Sequence, residues 1–169
     1  MYVFDATPLI YLAKAGRLSL VIDLSSECCT PEQVHEEVVT MGLDEGYADA
    51  RRIERIVKDG VLDVVAVDDR DTFERLRHNH HLSAADAAVL TVADDRDATA
   101  VMDEQYGRTV ADAEGIATRG TTYLVLRSLK ADRISAETAR ETIDAMMDAG
   151  WYCAPDLYAR ILQRIDDLG

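Results

Sequence analysis

The chain reads as a three-layer α/β/α protein, with a short central parallel sheet and a helical C-terminal extension. Three observations predict this. Short apolar runs at 2–5, 27–29, 61–67 and 98–102 are separated by helical stretches, the order that implies parallel strands with helices on both faces. Helix starts and stops are marked by capping residues, prolines and glycines. No repeat, low-complexity tract or Pro/Gly/Ser linker interrupts the 169 residues, so one domain is expected over 1–169, with its core at about 1–130 and C-terminal helices over 131–169.

Tyr2-Val3-Phe4 runs into Asp5 as the first strand, and a helix from Thr7 to Ala15 stops at Gly16. A short helix at 18–24 and a strand at 27–29 follow. Thr30-Pro31-Glu32-Gln33 reads as a helix start, with a hydroxyl cap, proline at the first helical position and Gln three residues after the cap. That helix is expected to reach about Met41. Residues 45–59 form a polar-faced helix closed by Gly60, and 61–67 a strand. Asp68 or Asp69 caps a helix through Arg77, and Ser83 caps the helix 84–95. The strand 98–102 leads to a helix ending at Glu114, then an extended piece at 116–118. Helices over Thr121–Lys130, from cap Ser135 to Ala149, and from Pro155 to Leu168 complete the chain.

A chain of this length can bury about 70% of its unfolded surface. Its 48% hydrophobic and 30% charged residues are those of a soluble globular protein. There is no run of 18 apolar residues and no basic, signal-like N-terminus, so a cytoplasmic protein without membrane association is expected. Cys28, Cys29 and Cys153 suggest buried thiols rather than a disulfide framework. The net charge of −14 arises from 21 Asp and 11 Glu against 15 Arg and 3 Lys. Excess carboxylate with almost no lysine suits a salt-adapted, halophilic cytoplasm, where charge is screened within roughly 3 Å at 1 M ionic strength. Most of the acids are then solvation, and a functional acid has to be separated from them by position.

Four acids stand apart. In open parallel sheets, sites form beyond the carboxyl ends of the strands, where Asp5 and Asp103 both lie. On the helix from residue 31, Val34, Val38 and Met41 define an apolar stripe; Glu37 flanks it and faces inward, while Glu36 points to solvent. Asp86 shares a face with Leu82, Val89, Leu90 and Ala93, although Ser83-Ala84-Ala85-Asp86 also has the spacing of a capping box. Asp5, Asp103 and Glu104 have the bland alternative of capping the helices that follow them. Gathered in one cleft, Asp5, Glu37, Asp86 and Asp103 would repel one another unless oxygen-seeking cations such as Mg²⁺ or Mn²⁺ sat among them. Such a cluster suits in-line displacement at phosphorus, and a phosphodiester is the substrate that best uses it. The His78-Asn79-His80-His81 run lacks a matching acid and is not read as a zinc site.

This constellation resembles the PIN domain family of metal-dependent nucleases over nearly the whole chain. "FDAT" supplies the strand-end Asp5 with Thr7, and "TPEQVHEEVV" picks out Glu37. "LSAADAAVL" supplies Asp86 and "VMDEQYGR" Asp103, while Arg108 and the pair Gly120-Thr121 match the archaeal and bacterial group. The resemblance implies Mg²⁺- or Mn²⁺-dependent endoribonuclease activity, as in VapC-type toxins of toxin–antitoxin pairs. It further implies an RNA substrate, a homodimer, and inhibition by a small antitoxin protein. By this carry-over Asp5, Glu37, Asp86 and Asp103 hold the metal and carry catalysis. Thr7 orients Asp5 or touches a phosphate, and Glu104 and Arg108 are auxiliaries.

Two other readings compete. A catalytically idle PIN-like module would act through protein contacts alone. An α/β phosphatase would need a second Asp where Thr7 stands, and a receiver domain a strand-end Lys, whereas Lys130 falls inside an expected helix. Among the cations that could meet RNA, Arg51, Arg55 and Lys58 share one helix face but are as readily ion-pair partners, and Arg75, Arg77 and Arg108 are expected nearer the cleft.

Overall fold

Val3 and Phe4 are fully buried because their strand, Tyr2–Phe4 (β1), runs through the middle of the sheet. In the computed structural model, which describes residues 1–24 and 26–169, the strands lie all parallel in the order β3-β2-β1-β4-β5. The others are Cys28–Pro31 (β2), Asp63–Val65 (β3), Thr99–Val101 (β4) and Thr118–Arg119 (β5). Register is set by Val3 opposite Cys29 on one side and Phe4 opposite Val101 on the other. The chain builds outward from β1 through β2 to β3, then returns to the far side of β1 with β4 and β5. The order therefore reverses between β1 and β4, the switch point at which open α/β sheets form crevices.

Helices cover both faces, giving the expected three layers. Ala6–Lys14 (α1) and Ser19–Ile22 (α2) follow β1. After β2 come Glu32–His35 (α3), a π-helical segment Glu36–Met41, Gly42–Asp44 (α4) and Ala48–Lys58 (α5). Arg70–Arg77 (α6) and Ala84–Asp95 (α7) lead into β4; Gln105–Ala113 (α8) joins β4 to β5. Thr121–Lys130 (α9), Ala136–Asp148 (α10) and Pro155–Leu168 (α11) close the chain, with α10 packed on α1 and on both α9 and α11. The most enclosed helix is α7: Ala85 and every residue from Ala87 to Ala93 are buried, so it is apolar on all sides and touches β1, β2, β4, α3 and α6.

Three expectations are corrected. Thr30 and Pro31 extend β2, paired with Val64 and Val65, so the helix starts one residue later than expected, at Glu32 with Pro31 in the cap position. The Thr30 hydroxyl donates to the Phe4 carbonyl at 2.9 Å, tying β2 to β1 one residue before Asp5. Met41 is not on the apolar stripe; it is 57% exposed, while Val38 and Val39 are both buried. The wider π turn rotates the later residues out of the α-helical register from which Met41 was placed. The helix expected over 45–59 is shorter, Ala48–Lys58, because the chain turns at residues 45–46. Cys28, Cys29 and Cys153 are free buried thiols, with burial pushing Cys28 up to about 11.

Candidate active site

The end of β1 carries Asp5 into the switch point. Its backbone N–H donates to the Val101 carbonyl at 3.0 Å, so the two strand ends are tied and Asp103 emerges alongside. Asp5 occupies the cap position of α1, yet its side chain makes no cap hydrogen bond there, and it is only 4% exposed. Its carboxyl is pushed up to about 7, first by burial and next by the charge of Asp86; Glu37 and Asp103 add to the rise, and the Ala6 amide offsets part of it. Asp5 thus feels the charge of the three other acids singled out in the sequence, although the four come from separate elements.

Asp86 takes both roles its spacing allowed. The Ser83 hydroxyl accepts from the Asp86 N–H, and an Asp86 carboxylate oxygen accepts from the Ser83 N–H, each at 2.9 Å, so a full capping box starts α7. The same box holds the half-buried carboxylate towards Asp5. Glu37 does not face inward as expected: in the π-helical segment its side chain is exposed, although its carboxyl is raised by partial desolvation and then by Asp86. Glu36 is exposed, as expected.

Asp103 is the most firmly held. The Thr121 N–H donates to one of its oxygens at 2.7 Å, and the Thr121 hydroxyl donates to the other at 2.7 Å. That second oxygen also accepts from the Trp151 indole N–H at 2.9 Å. Gly120 packs closely here: a Cβ there would stand 3.0 Å from the Asp103 carboxylate and 3.4 Å from an Arg108 guanidinium nitrogen. Arg108 is thereby placed beside Asp103. Trp151 is 7% exposed, and its hydrogen bond across 48 positions carries no local sequence signal.

Glu104, not Asp103, caps α8, its carboxylate accepting from the Tyr106 N–H at 2.9 Å and from the Gly107 N–H. Thr7 is half-buried in the first turn of α1 and, among the described residues, makes no hydrogen bond to Asp5. Arg75 is engaged elsewhere, in a bidentate pair with Glu114 at 2.7 and 2.9 Å, and Arg77 pairs with Glu74. On α5, Lys58 pairs with Glu54 at 2.8 Å and Arg52 donates to the Ala13 carbonyl, so ordinary surface pairing accounts for much of that basic face. None of the four acids shares an ion pair among the described residues. Nor, among those residues, do three His, Cys, Asp or Glu side chains close into a ready-made metal cage. Asp103 has both oxygens turned to Thr121 and Trp151, and uncompensated like charges hold apart rather than converge.

A five-stranded parallel sheet between helices, with a buried acid at its switch point, defines a three-layer α/β/α fold with an acidic crevice. A family model described as a PIN domain matches residues 1–167, and the chain belongs to the PIN domain family. No curated protein matches the chain. PIN domains are generally nucleases, hydrolases acting on nucleic acid, and usually use divalent metal ions. No helix among the described residues is long and apolar enough to cross a membrane.

Proposed function

We propose that this chain is a divalent-metal-dependent endoribonuclease, hydrolysing RNA phosphodiester bonds at the cleft formed by Asp5, Glu37, Asp86 and Asp103. The observation that carries the reading is Asp5: a carboxyl 4% exposed, at a strand end, with three further acids raising its pKa and no ion pair among the described residues. Burying such a group is costly unless something positive enters. The donors are all carboxylate oxygens, the set suited to Mg²⁺ or Mn²⁺ rather than zinc, and their chemistry fits the group the family uses.

Asp5, Glu37, Asp86 and Asp103 would hold the ion. When bound, it supplies hydroxide from water at neutral pH and charge stabilisation at the phosphate. The chain's own part is orientation. Thr121 and Trp151 fix the Asp103 carboxylate, the capping box fixes Asp86, and burial keeps Asp5 poorly solvated and ready to exchange its proton for a cation. Arg108, beside Asp103, is the nearest placed cation to meet a phosphate, and Thr7 has its hydroxyl uncommitted to Asp5. We read the biological role as the toxin of a toxin–antitoxin pair, a homodimer restrained by a small antitoxin, in a cytoplasmic, salt-adapted setting. The family resemblance and the acidic composition support that role.

Calorimetric titration with Mn²⁺ and an RNA cleavage assay test the proposal together. We expect Mn²⁺ binding in the parent protein, its loss in Asp5→Asn and Asp86→Asn, and cleavage that stops on chelation. Cleavage persisting in the doubly substituted protein, or absence of carboxylate-dependent Mn²⁺ binding, would overturn it.

A further inference from the structure

The His78-Asn79-His80-His81 run is not absorbed by the metal chemistry, and its placement is specific. It is the loop between α6 and α7, ending two residues before Ser83, whose N–H is bound by Asp86. Across from it is Tyr106, three residues after Asp103 and held at the start of α8 by the Glu104 cap. The His81 and Tyr106 rings stand 5.2 Å apart between centroids, tilted by 57°. The Tyr106 hydroxyl and Asn79 side-chain amide exchange hydrogen bonds of 3.1 and 3.2 Å in both directions, which fixes the phenol ring. Despite this anchoring Tyr106 remains 38% exposed and His81 is exposed. Tyr106 is thus held by Asn79 and packed by His81 while both rings stay partly open to solvent, between the segments that lead into Asp86 and out of Asp103.

We propose that His81 and Tyr106 form a stacking platform for one unpaired nucleobase of the RNA bound at the cleft. This rests on the nuclease reading above. In a chain of net charge −14, whose Arg75 and Arg77 are paired with glutamates, phosphate contacts are a weak source of affinity. Stacking uses the base's face instead, is insensitive to which base is present, and is not abolished by salt. A duplex keeps its base faces inside the helix and cannot use such a platform. Asn79 is a positioning residue for Tyr106.

The test is equilibrium binding of a fluorescent, unstructured eight-nucleotide RNA, measured by anisotropy in 1 M salt with Mg²⁺. All proteins carry Asp5→Asn to keep the RNA intact and remove one repelling charge. We expect Tyr106→Ala to weaken binding roughly 5- to 100-fold, and Tyr106→Phe, which keeps the ring but loses the Asn79 bonds, to weaken it by much less. His81→Ala, at an exposed position that does not endanger folding, should also weaken it. An otherwise identical abasic strand should bind weakly to the parent and lose nothing further on Tyr106→Ala. Equal affinity of parent and both alanine variants for the RNA, equal loss with the abasic strand, or duplex bound as well as single strand would overturn the platform. Cleavage by the protein with its native Asp5 is scored separately: base-dependent binding without any cleavage would reject the nuclease reading and leave the platform standing.

Discussion

At the scale of single residues, Asp5 couples stability to pH in a direction opposite to most carboxylates. Its carboxyl titrates near 3.8 when free and at about 7 in the fold, so the folded state binds the proton more tightly between those values. Its stabilising contribution is complete below the lower value and is lost as pH rises through the upper one. The difference corresponds to on the order of 4 kcal/mol. We expect the metal-free protein to melt lower at pH 8 than at pH 5, and Asp5→Asn to flatten that dependence and melt several degrees higher at pH 8 while losing cleavage. Parallel melting profiles of the two proteins would refute the cost assigned to Asp5. Trp151→Phe keeps a ring in place but removes the donor to Asp103. Loss of such an outer partner typically weakens metal affinity or activity about 10- to 100-fold. A Mn²⁺ titration of Trp151→Phe that matches the parent would exclude this positioning role. Asp5 and Asp86 could be placed from the sequence because a strand end and a capping box are local signals, whereas the inward face expected for Glu37 rested on an α-helical period that the π segment does not keep. Trp151 could not be so placed, since its contact with Asp103 depends on how α10 and α11 bring the chain back to the sheet.

Among elements, the departure at Glu36–Met41 is the most instructive. A heptad-like stripe of Val34, Val38 and Met41 assumes about 3.6 residues per turn. The π segment breaks that assumption, buries Val39 beside Val38, and delivers Gly42 against α5. Nothing in the local residue types announces a π turn; it is selected by packing on α1 and α5. By contrast α7, α9 and α11 begin and end as expected, because Ser83, Gly120 and Pro155 are strong local signals. At Thr30-Pro31 pairing with β3 holds both residues in the strand and moves the helix start one residue on, to Glu32. The helix contact at Gly42 makes a sign test available. Alanine for glycine inside a helix ordinarily gains about 1 kcal/mol, but here the new Cβ would lie 2.8 Å from the Ala50 Cβ. We expect Gly42→Ala to destabilise by about 1–3 kcal/mol in denaturant titrations, and Gly42→Ala with Ala50→Gly to recover much of it. A stabilised single variant would contradict the close approach.

For the molecule as a whole, a charge of −14 sets the response to salt. Most of the acids are surface groups whose mutual repulsion is screened as the Debye length shrinks from about 10 Å at 0.1 M to about 3 Å at 1 M. We therefore expect the melting temperature to rise by several degrees over that range, and RNA cleavage to decline less steeply with salt than for a basic nuclease. A melting temperature that falls with added KCl would count against a salt-adapted surface. The order of the strands has a further effect, on biosynthesis. The strand made first, β1, ends up at the centre of the sheet, and one of its neighbours, β4 at Thr99–Val101, is translated much later. On the ribosome, the apolar Val3-Phe4 edge must wait with half its hydrogen-bonding groups unpaired, a slow, non-local closure of the kind that exposes nascent chains to aggregation. A nascent chain stopped at Asp95 should stay sensitive to protease, and protection should arrive only once β4 has cleared the exit tunnel.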